Sequence, residues 1–191
     1  MYISIVILII AATVFQIIEG SLILRDRINA KGTTKIDQRT RLFNIVLAEF
    51  AIFSPLFSIL IPILQFDNKD ITIITSIGTS IICLGFILRY WSIIILGKYF
   101  RTTVEIDEGQ KIIQKGPYKF IRHPSYSGMI LFYIGYGLVS QNWLSLILTV
   151  ILPMSALLYR INVEEKAFIE ELGVEYKNYK LKTKKLIPGI W

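Results

Sequence analysis

Apolar runs long enough to cross a bilayer alternate along the chain with short polar intervals. The first runs from Ile3 to Leu24, the second from about Phe43 to Phe66 and the third from about Ile71 to Leu96. About 20 helical residues cover the roughly 30 Å of hydrocarbon, so each of the three is a candidate span. The first has no short apolar core closed by a small-residue cleavage site, and more spans follow it, so it reads as a retained helix and not a signal peptide. The polar turn "DNKD" between the second and third is tight enough to require an antiparallel hairpin. A fourth run, "MILFYIGYGLV", is short even when counted from Pro124, whereas the fifth, Trp143 to Tyr159, is adequate. The turn "SQN" joins these last two into a helical hairpin whose first arm is tilted or crosses incompletely. The pattern predicts an all-α integral membrane protein of about five transmembrane helices, arranged as a single membrane domain.

Composition agrees: of 191 residues, 53% are apolar or aromatic, and the mean hydropathy is +0.56, above the range of soluble domains. Charge then supplies orientation. Arg25, Arg27, Lys31, Lys35, Arg39 and Arg41 lie between the first two spans, opposed only by Asp26 and Asp37. The segments Lys98 to Arg122 and Arg160 to Trp191 carry nearly all the remaining cations, while the intervening turns are acidic or uncharged. With five spans every basic segment falls on one side, which the positive-inside rule makes cytoplasmic, leaving the N-terminus outside and the C-terminus inside. The net charge of +7 is then accounted for by topology and anionic headgroups, and no nucleic-acid partner is implied. Cys83 is the sole cysteine and His123 the sole histidine, which excludes an internal disulfide and makes a zinc site an unsuitable reading, so no metal is expected.

Ionisable groups inside spans are candidates for function, because hydrocarbon penalises them unless they are paired. Gln16, Glu19 and Glu49 occupy the first two spans, and Glu19 is placed to pair with Arg25 or Arg27. Arg89 sits about two turns inside the third span; it either snorkels to headgroups beside Tyr90 and Trp91 or faces a polar cavity and binds an anion. After residue 97 the pattern changes to a structured cytoplasmic loop with short extended pieces, and "EIDEGQKIIQKGPYKFI" suits a small hairpin-like turn. Pro124 is placed for the first turn of the fourth helix, which puts Arg122 and His123 beside unbonded amides at its positive end. They either anchor an anionic ligand group or touch lipid phosphates while His123 caps. Further on, Arg160 and Glu164 share a helix face, with Glu165 about 100° round; adjacent glutamates below a span are either a solvated face or part of a site. Gly173 ends this helix and a short amphipathic piece with Tyr176 and Tyr179 follows, before Trp191 at the interface.

Three motifs in one order carry a resemblance. "LRYW…LGKYF", then "GPYKFIRHPSYSG", then "R-x-x-x-E-E" some three dozen residues later with "ELGVEYKNYK" behind it, resemble the isoprenylcysteine carboxyl methyltransferase family over roughly Leu88 to Tyr179. The resemblance implies that residues 71–191 form the catalytic, cofactor-binding part, in which the loop and the C-terminal helices hold S-adenosylmethionine without a soluble Rossmann domain. Residues 1–70 contribute two spans and a basic loop. By the same resemblance Glu164 and Glu165 accept from the donor's ribose hydroxyls or ammonium, and His123 with nearby amides meets its carboxylate. Tyr118, Tyr126, Tyr176 and Tyr179 offer ring faces to adenine or sulfonium. Pro124 starts the helix and Gly128, one turn in, permits close approach of the cofactor or a neighbouring helix.

A carboxylate acceptor is already ionised near neutral pH and needs positioning more than a base. Arg160, one turn from Glu164, and Arg89 are the residues implied to hold it, with S-adenosylhomocysteine as product. The acceptor is then a lipophilic small molecule or lipidated substrate entering from the bilayer, at the cytoplasmic face of a membrane that the Ile- and Lys-heavy composition suggests is bacterial or archaeal. Rival readings are a phospholipid, amine or thiol methyltransferase, a membrane reductase using NADPH, and a non-catalytic membrane protein. Oligomeric state, the acceptor atom and the role of Arg122 are unassigned by the sequence.

Overall fold

The computed structural model describes residues 2–29, 35–55, 61–66, 71–104, 106 and 110–190. Its long helices are α1 (Tyr2–Asn29), α2 (Lys35–Phe53), α3 (Ile71–Leu96), α4 (Pro124–Val139) and α5 (Trp143–Lys182). Among the described residues there is no strand, only isolated bridges pairing Gln65 with Asn142 and Ile121 with Lys184. The chain is therefore a helical membrane protein, as the hydropathy pattern predicts. α1, α3 and α5 are long and apolar enough to cross a bilayer alone. α2 holds a shorter apolar stretch, Leu42–Phe53, and α4 has 16 residues, or about 24 Å of rise, short of the hydrocarbon thickness. Ile3, Ile10, Ile87, Ile94, Ile147 and Ile151 remain exposed, as side chains that face lipid do.

The second apolar run, expected to be helical from Phe43 to Phe66, forms helix only as far as Phe53. Pro55 disfavours helical backbone at Ser54, whose N–H and hydroxyl both turn back to the Ala51 carbonyl at 3.2 and 2.8 Å. Pro62–Leu64 make a 3-10 turn, and Phe66 then donates its N–H to the Gln141 carbonyl at 2.9 Å. The "DNKD" turn lies outside the described residues, as does Trp191. Of the hairpin-like turn, residues 105 and 107–109 also lie outside them, and the described part shows no ladder.

Cross-helix contacts fix the directions. Ser4 of α1 lies by Thr75 of α3, and Gln141 donates to both hydroxyls at 2.7 and 2.8 Å. Farther along the same pair of helices, Glu19 meets Arg89, so α1 and α3 are parallel. The end of α2 reaches the Gln141 side, where Tyr136 donates to the Ile52 carbonyl and Ser145 to that of Ser54. Arg25, His123 and Glu165 gather at the opposite end, beside the basic segments.

α3 and α4 run antiparallel at backbone contact. A Cβ on Gly85 would stand 2.7 Å from the Gly128 carbonyl oxygen, and one on Gly135 would stand 2.5 Å from that of Gly78. Small residues at matched spacing let the backbones approach where hydrocarbon gives no driving force for helix association. Gly128, expected to admit either cofactor or helix, thus admits the helix. The core built on this contact joins Phe15 of α1 to Phe132 of α4, stacked at 4.4 Å between centroids.

α5 is capped by Asn142, whose side chain accepts the Ser145 N–H at 3.1 Å. At Gly173 the backbone takes φ +55°, ψ −121°, a conformation glycine tolerates and other residues resist. The helix bends back there so sharply that Lys180 reaches Glu165 at 2.7 Å, although 15 residues of straight helix would separate them by about 22 Å.

The α3–α4 contact predicts that Gly135→Val loses at least about 1–3 kcal/mol, since backbone and not a flexible side chain must yield. Gly20→Val, where a Cβ meets nothing within 4 Å, should stay within about 0.5 kcal/mol of wild type. Thermal unfolding in detergent checks both, and equal midpoints would refute the close-packing account.

Candidate active site

The site grows from the N-terminus of α4. Pro124 occupies the first helical turn, as its fixed φ favours, and His123 sits at the capping position without a side-chain cap bond. Its imidazole turns instead toward α5, with Nε2 3.3 Å from Glu165 Oε1 and Nδ1 3.7 Å from Glu164 Oε2. Of the amides near this end, those of Tyr126 and Ser127 donate to the His123 carbonyl, and those of Arg122 and His123 donate to the carbonyls of Lys184 and Lys185. The chain after α5 lies along residues 120–123 and takes those donors itself.

Glu165 is a structural hub. It is buried, and it accepts from Arg122 Nε at 2.8 Å and Lys180 Nζ at 2.7 Å besides facing His123. Arg122 also donates to the carbonyls of Lys180 and Thr183, which gives this residue the role the sequence withholds: it ties α4 to the returning end of α5. Glu165 lies 22 residues past Trp143, about 33 Å of helix rise and more than the roughly 30 Å of hydrocarbon, so it stands beyond the crossing part of α5. Burial pushes its carboxyl up, but the bonds from His123, Lys180 and Arg122 outweigh that and hold it well below the usual carboxylate range.

Glu164 turns the other way. Tyr126, its ring stacked on His123 at 5.6 Å, donates to Glu164 Oε2 at 3.0 Å and accepts from Arg160 Nε at 2.8 Å. Arg160 also donates through Nη2 to the Thr102 carbonyl. That carbonyl is set from α1: Asp26 accepts the Thr102 N–H, and Arg25 donates to the Phe100 carbonyl at 2.9 Å. The guanidinium is thus positioned by a residue that no motif marks.

A cavity of ≈ 270 Å³ opens between these groups. Glu164, His123, Tyr118, Tyr126, Tyr176 and Tyr179 line it, together with Arg160 and Arg89. Pro124, Gly128 and Glu165 do not line it and act behind its wall. Tyr179 is committed to the Tyr118 carbonyl at 2.7 Å. Tyr176 stacks on Phe168 across the Gly173 bend, and its buried hydroxyl has no partner among the described residues. Burial pushes the phenols of Tyr118, Tyr176 and Tyr179 up, so they stay neutral donors. Among the described residues no three His, Cys, Asp or Glu side chains gather as a metal set.

Arg89 faces the cavity, and it is not open: Nε and Nη2 grip Glu19 at 2.6 Å each, and Nη1 donates to the Ser125 hydroxyl at 2.8 Å. Glu19 therefore pairs across to α3, and not with Arg25, which bonds Asp26 and Phe100; the side chain of Arg27 lies outside the described residues. The parallel packing of α1 on α3 brings the two charges level inside the membrane, where neither can be left unmatched. Thr102, Phe168 and Leu172 also line the cavity. The last two could have been found from their spacing of four and eight residues after Glu164; Thr102 had no sequence signal.

Comparison with known proteins bears on the same region. Residues 77–170 match the model of the isoprenylcysteine carboxyl methyltransferase (ICMT) family. A Bacillus subtilis relative, Uncharacterized protein YpbQ, is 36% identical over 84 residues, 44% of this chain and 50% of the relative. Protein-S-isoprenylcysteine O-methyltransferase B of Arabidopsis thaliana is 31% identical over 119 residues, 61% of this chain and 60% of that one. The solved structure of the eukaryotic intramembrane Ras methyltransferase ICMT, without a monobody, aligns with a TM-score of 0.61 at 25% identity, covering 76% of this chain and 52% of its own. The chain thus spans about half to three fifths of the length of these relatives.

Two outcomes follow from the hub and from the α1 tether. Glu165 is depressed in the folded state, so its stabilising contribution is complete above about pH 4.5, its ordinary value, and is lost as pH falls below it; Glu165→Gln should flatten the acid limb of a thermal-stability profile. Asp26→Ala should lower ligand-independent order of the 100–102 segment, read as a rise of about tenfold or more in its amide hydrogen exchange, while Asp26→Asn preserves part of it through the side-chain carbonyl.

Proposed function

We propose, on the match of residues 77–170 to the isoprenylcysteine carboxyl methyltransferase family model, that the chain transfers the methyl group of S-adenosylmethionine to a carboxylate on a lipophilic acceptor at the cytoplasmic membrane face. The observation that carries this reading is one cavity lined both by Glu164, His123 and Tyr176 and by Arg160, with apolar Met129 and Leu157 among its walls. The donor set suits the cofactor. Glu164 accepts from hydroxyl or ammonium groups, His123 meets a carboxylate, and the unpartnered Tyr176 hydroxyl supplies a further donor beside the Phe168 ring. When bound, the donor supplies a methyl group on a sulfonium, which passes to a carboxylate oxygen and leaves S-adenosylhomocysteine.

The chain's own task is placement. Arg160 is held by Tyr126 and by the Thr102 carbonyl, so its cationic face is fixed before a carboxylate arrives, which lowers the ordering cost of binding. Arg89, saturated by Glu19, contributes as the wall that keeps α1 in position. Tyr118 and Tyr179 brace the loop side, Glu165, Pro124 and Gly128 brace the rear, and no general base is required because the acceptor is ionised. The positive-inside distribution of cations supports an outer N-terminus and a cytoplasmic site open to the soluble donor.

The test is incubation of membranes containing the protein with methyl-labelled donor, followed by mass spectrometry of labelled lipids and peptides. A methyl ester on a lipophilic acid is expected, and Arg160→Ala should cut kcat/KM about a hundredfold, as truncating one side of a buried charged contact does. A labelled amine formed undiminished by Arg160→Ala would replace the carboxylate assignment. Stabilisation by NADPH and not by S-adenosylhomocysteine would replace the methyltransferase reading altogether.

A further inference from the structure

Polar groups continue down the cavity past the arginines. On α1, Gln16 lies three residues before Glu19 on the same face, about 4.5 Å farther from the basic end. Gln16 Nε2 donates to Glu49 Oε2 of α2 at 2.7 Å, and both residues line the cavity. Asn44, Ile45, Ala48 and Glu49 line it from α2, a spacing of one, four and five residues that defines a single helix face. Glu49 therefore points inward and not at lipid.

The two carboxylates at this depth differ in their surroundings. Glu19 has both oxygens gripped by Arg89. Glu49 has the Gln16 amide on one oxygen and, among the described residues, no cation within ion-pair distance and no donor to the other oxygen. Its neighbours on the wall include Phe15, Ile45 and Ala48. A carboxylate at membrane depth with an open oxygen is costly unless something meets it.

We propose that Glu49 and Gln16 form a hydrogen-bonding subsite for the acceptor's lipophilic part, selecting chains that carry a hydroxyl or amino group over bare hydrocarbon. The inference rests on the methyltransferase reading for the identity of the ligand as an acceptor. A bare chain lying in the cavity would desolvate Glu49 and offer it nothing, whereas a hydroxyl or amine would complete its bonds. Sites built to hydrogen-bond a ligand group discriminate strongly against analogues that lack it. Both residues fall outside 77–170, so this part of the cavity is built by the segment the family match does not cover.

The experiment uses the full chain in detergent with S-adenosylhomocysteine present. Hexadecanoic acid is compared, by thermal shift, with 16-carbon acids carrying one hydroxyl or one amino group at successive positions. At one or more positions the substituted acid is expected to bind about tenfold more tightly than hexadecanoic acid, and Glu49→Leu should bring them within about threefold. Glu49→Gln keeps an oxygen for Gln16 and guards against misfolding; it should retain the hydroxyl preference and lose the amino preference. Lack of discrimination in wild type, or a preference unchanged in both variants, overturns the subsite. Methyl transfer to the same acids is followed in parallel. Ester formed without preference refutes the subsite alone, and preference without any ester refutes the proposed function alone.

Discussion

A carboxylate buried at a membrane surface must be matched, and at Glu165 the matching groups come from separate parts of the chain. Arg122 and His123 arrive from the start of α4, and Lys180 arrives from α5 after its reversal at Gly173. Removing any one leaves Glu165 a buried, under-compensated charge, which costs more than the lost bond. The hub thereby dictates where the end of α5 lies. The cavity follows from it, because the same reversal lays Tyr176 over Phe168 and Tyr179 against Tyr118. Glu165 shapes the site from behind while its neighbour Glu164 faces the interior.

The amino-terminal helices take part in that interior more than their plain hydropathy suggests. α1 delivers Glu19 to Arg89, Gln16 to Glu49 and Asp26 to the Thr102 amide. The three contacts tie α1 to α3, to α2 and to the loop after α3 respectively, so α1 is held to all three. Arg160 is positioned at the end of this chain of contacts, so a helix outside the matched family region orients the residue proposed to hold the acceptor. The division into two leading spans and a separate catalytic part is therefore one of sequence likeness, since one cavity draws its walls from both.

The glycine contact between α3 and α4 plays the complementary part. It brings the backbones close enough for Arg89 to reach Ser125 while still gripping Glu19. A larger residue at Gly85 or Gly128 would widen that gap, and α4 is too short to recover the lost packing elsewhere. Its limited length and its start at Pro124 then fix His123, at the capping position, on the wall of the cavity.

Much of this was legible in the residues themselves. Apolar run length marked helices, Pro124 marked the start of α4, Gly173 marked the break in α5, and the ordered motifs pointed to the residues that line the cavity. These are local signals, fixed by backbone geometry and hydropathy within a few residues. The end of α2 at Phe53 was also local, in Ser54 and Pro55, but hydropathy masked it. Partner choice was not local. Glu19 lies near Arg25 in sequence and pairs with Arg89, Arg122 serves Glu165 and not lipid phosphate, and Asp26 reaches Thr102. The sequence by itself determined which groups would be too costly to leave unpaired in a membrane. Only the tertiary structure decided which partners they take, because that depends on helix direction, depth and close approach, quantities set by packing between segments far apart in the chain.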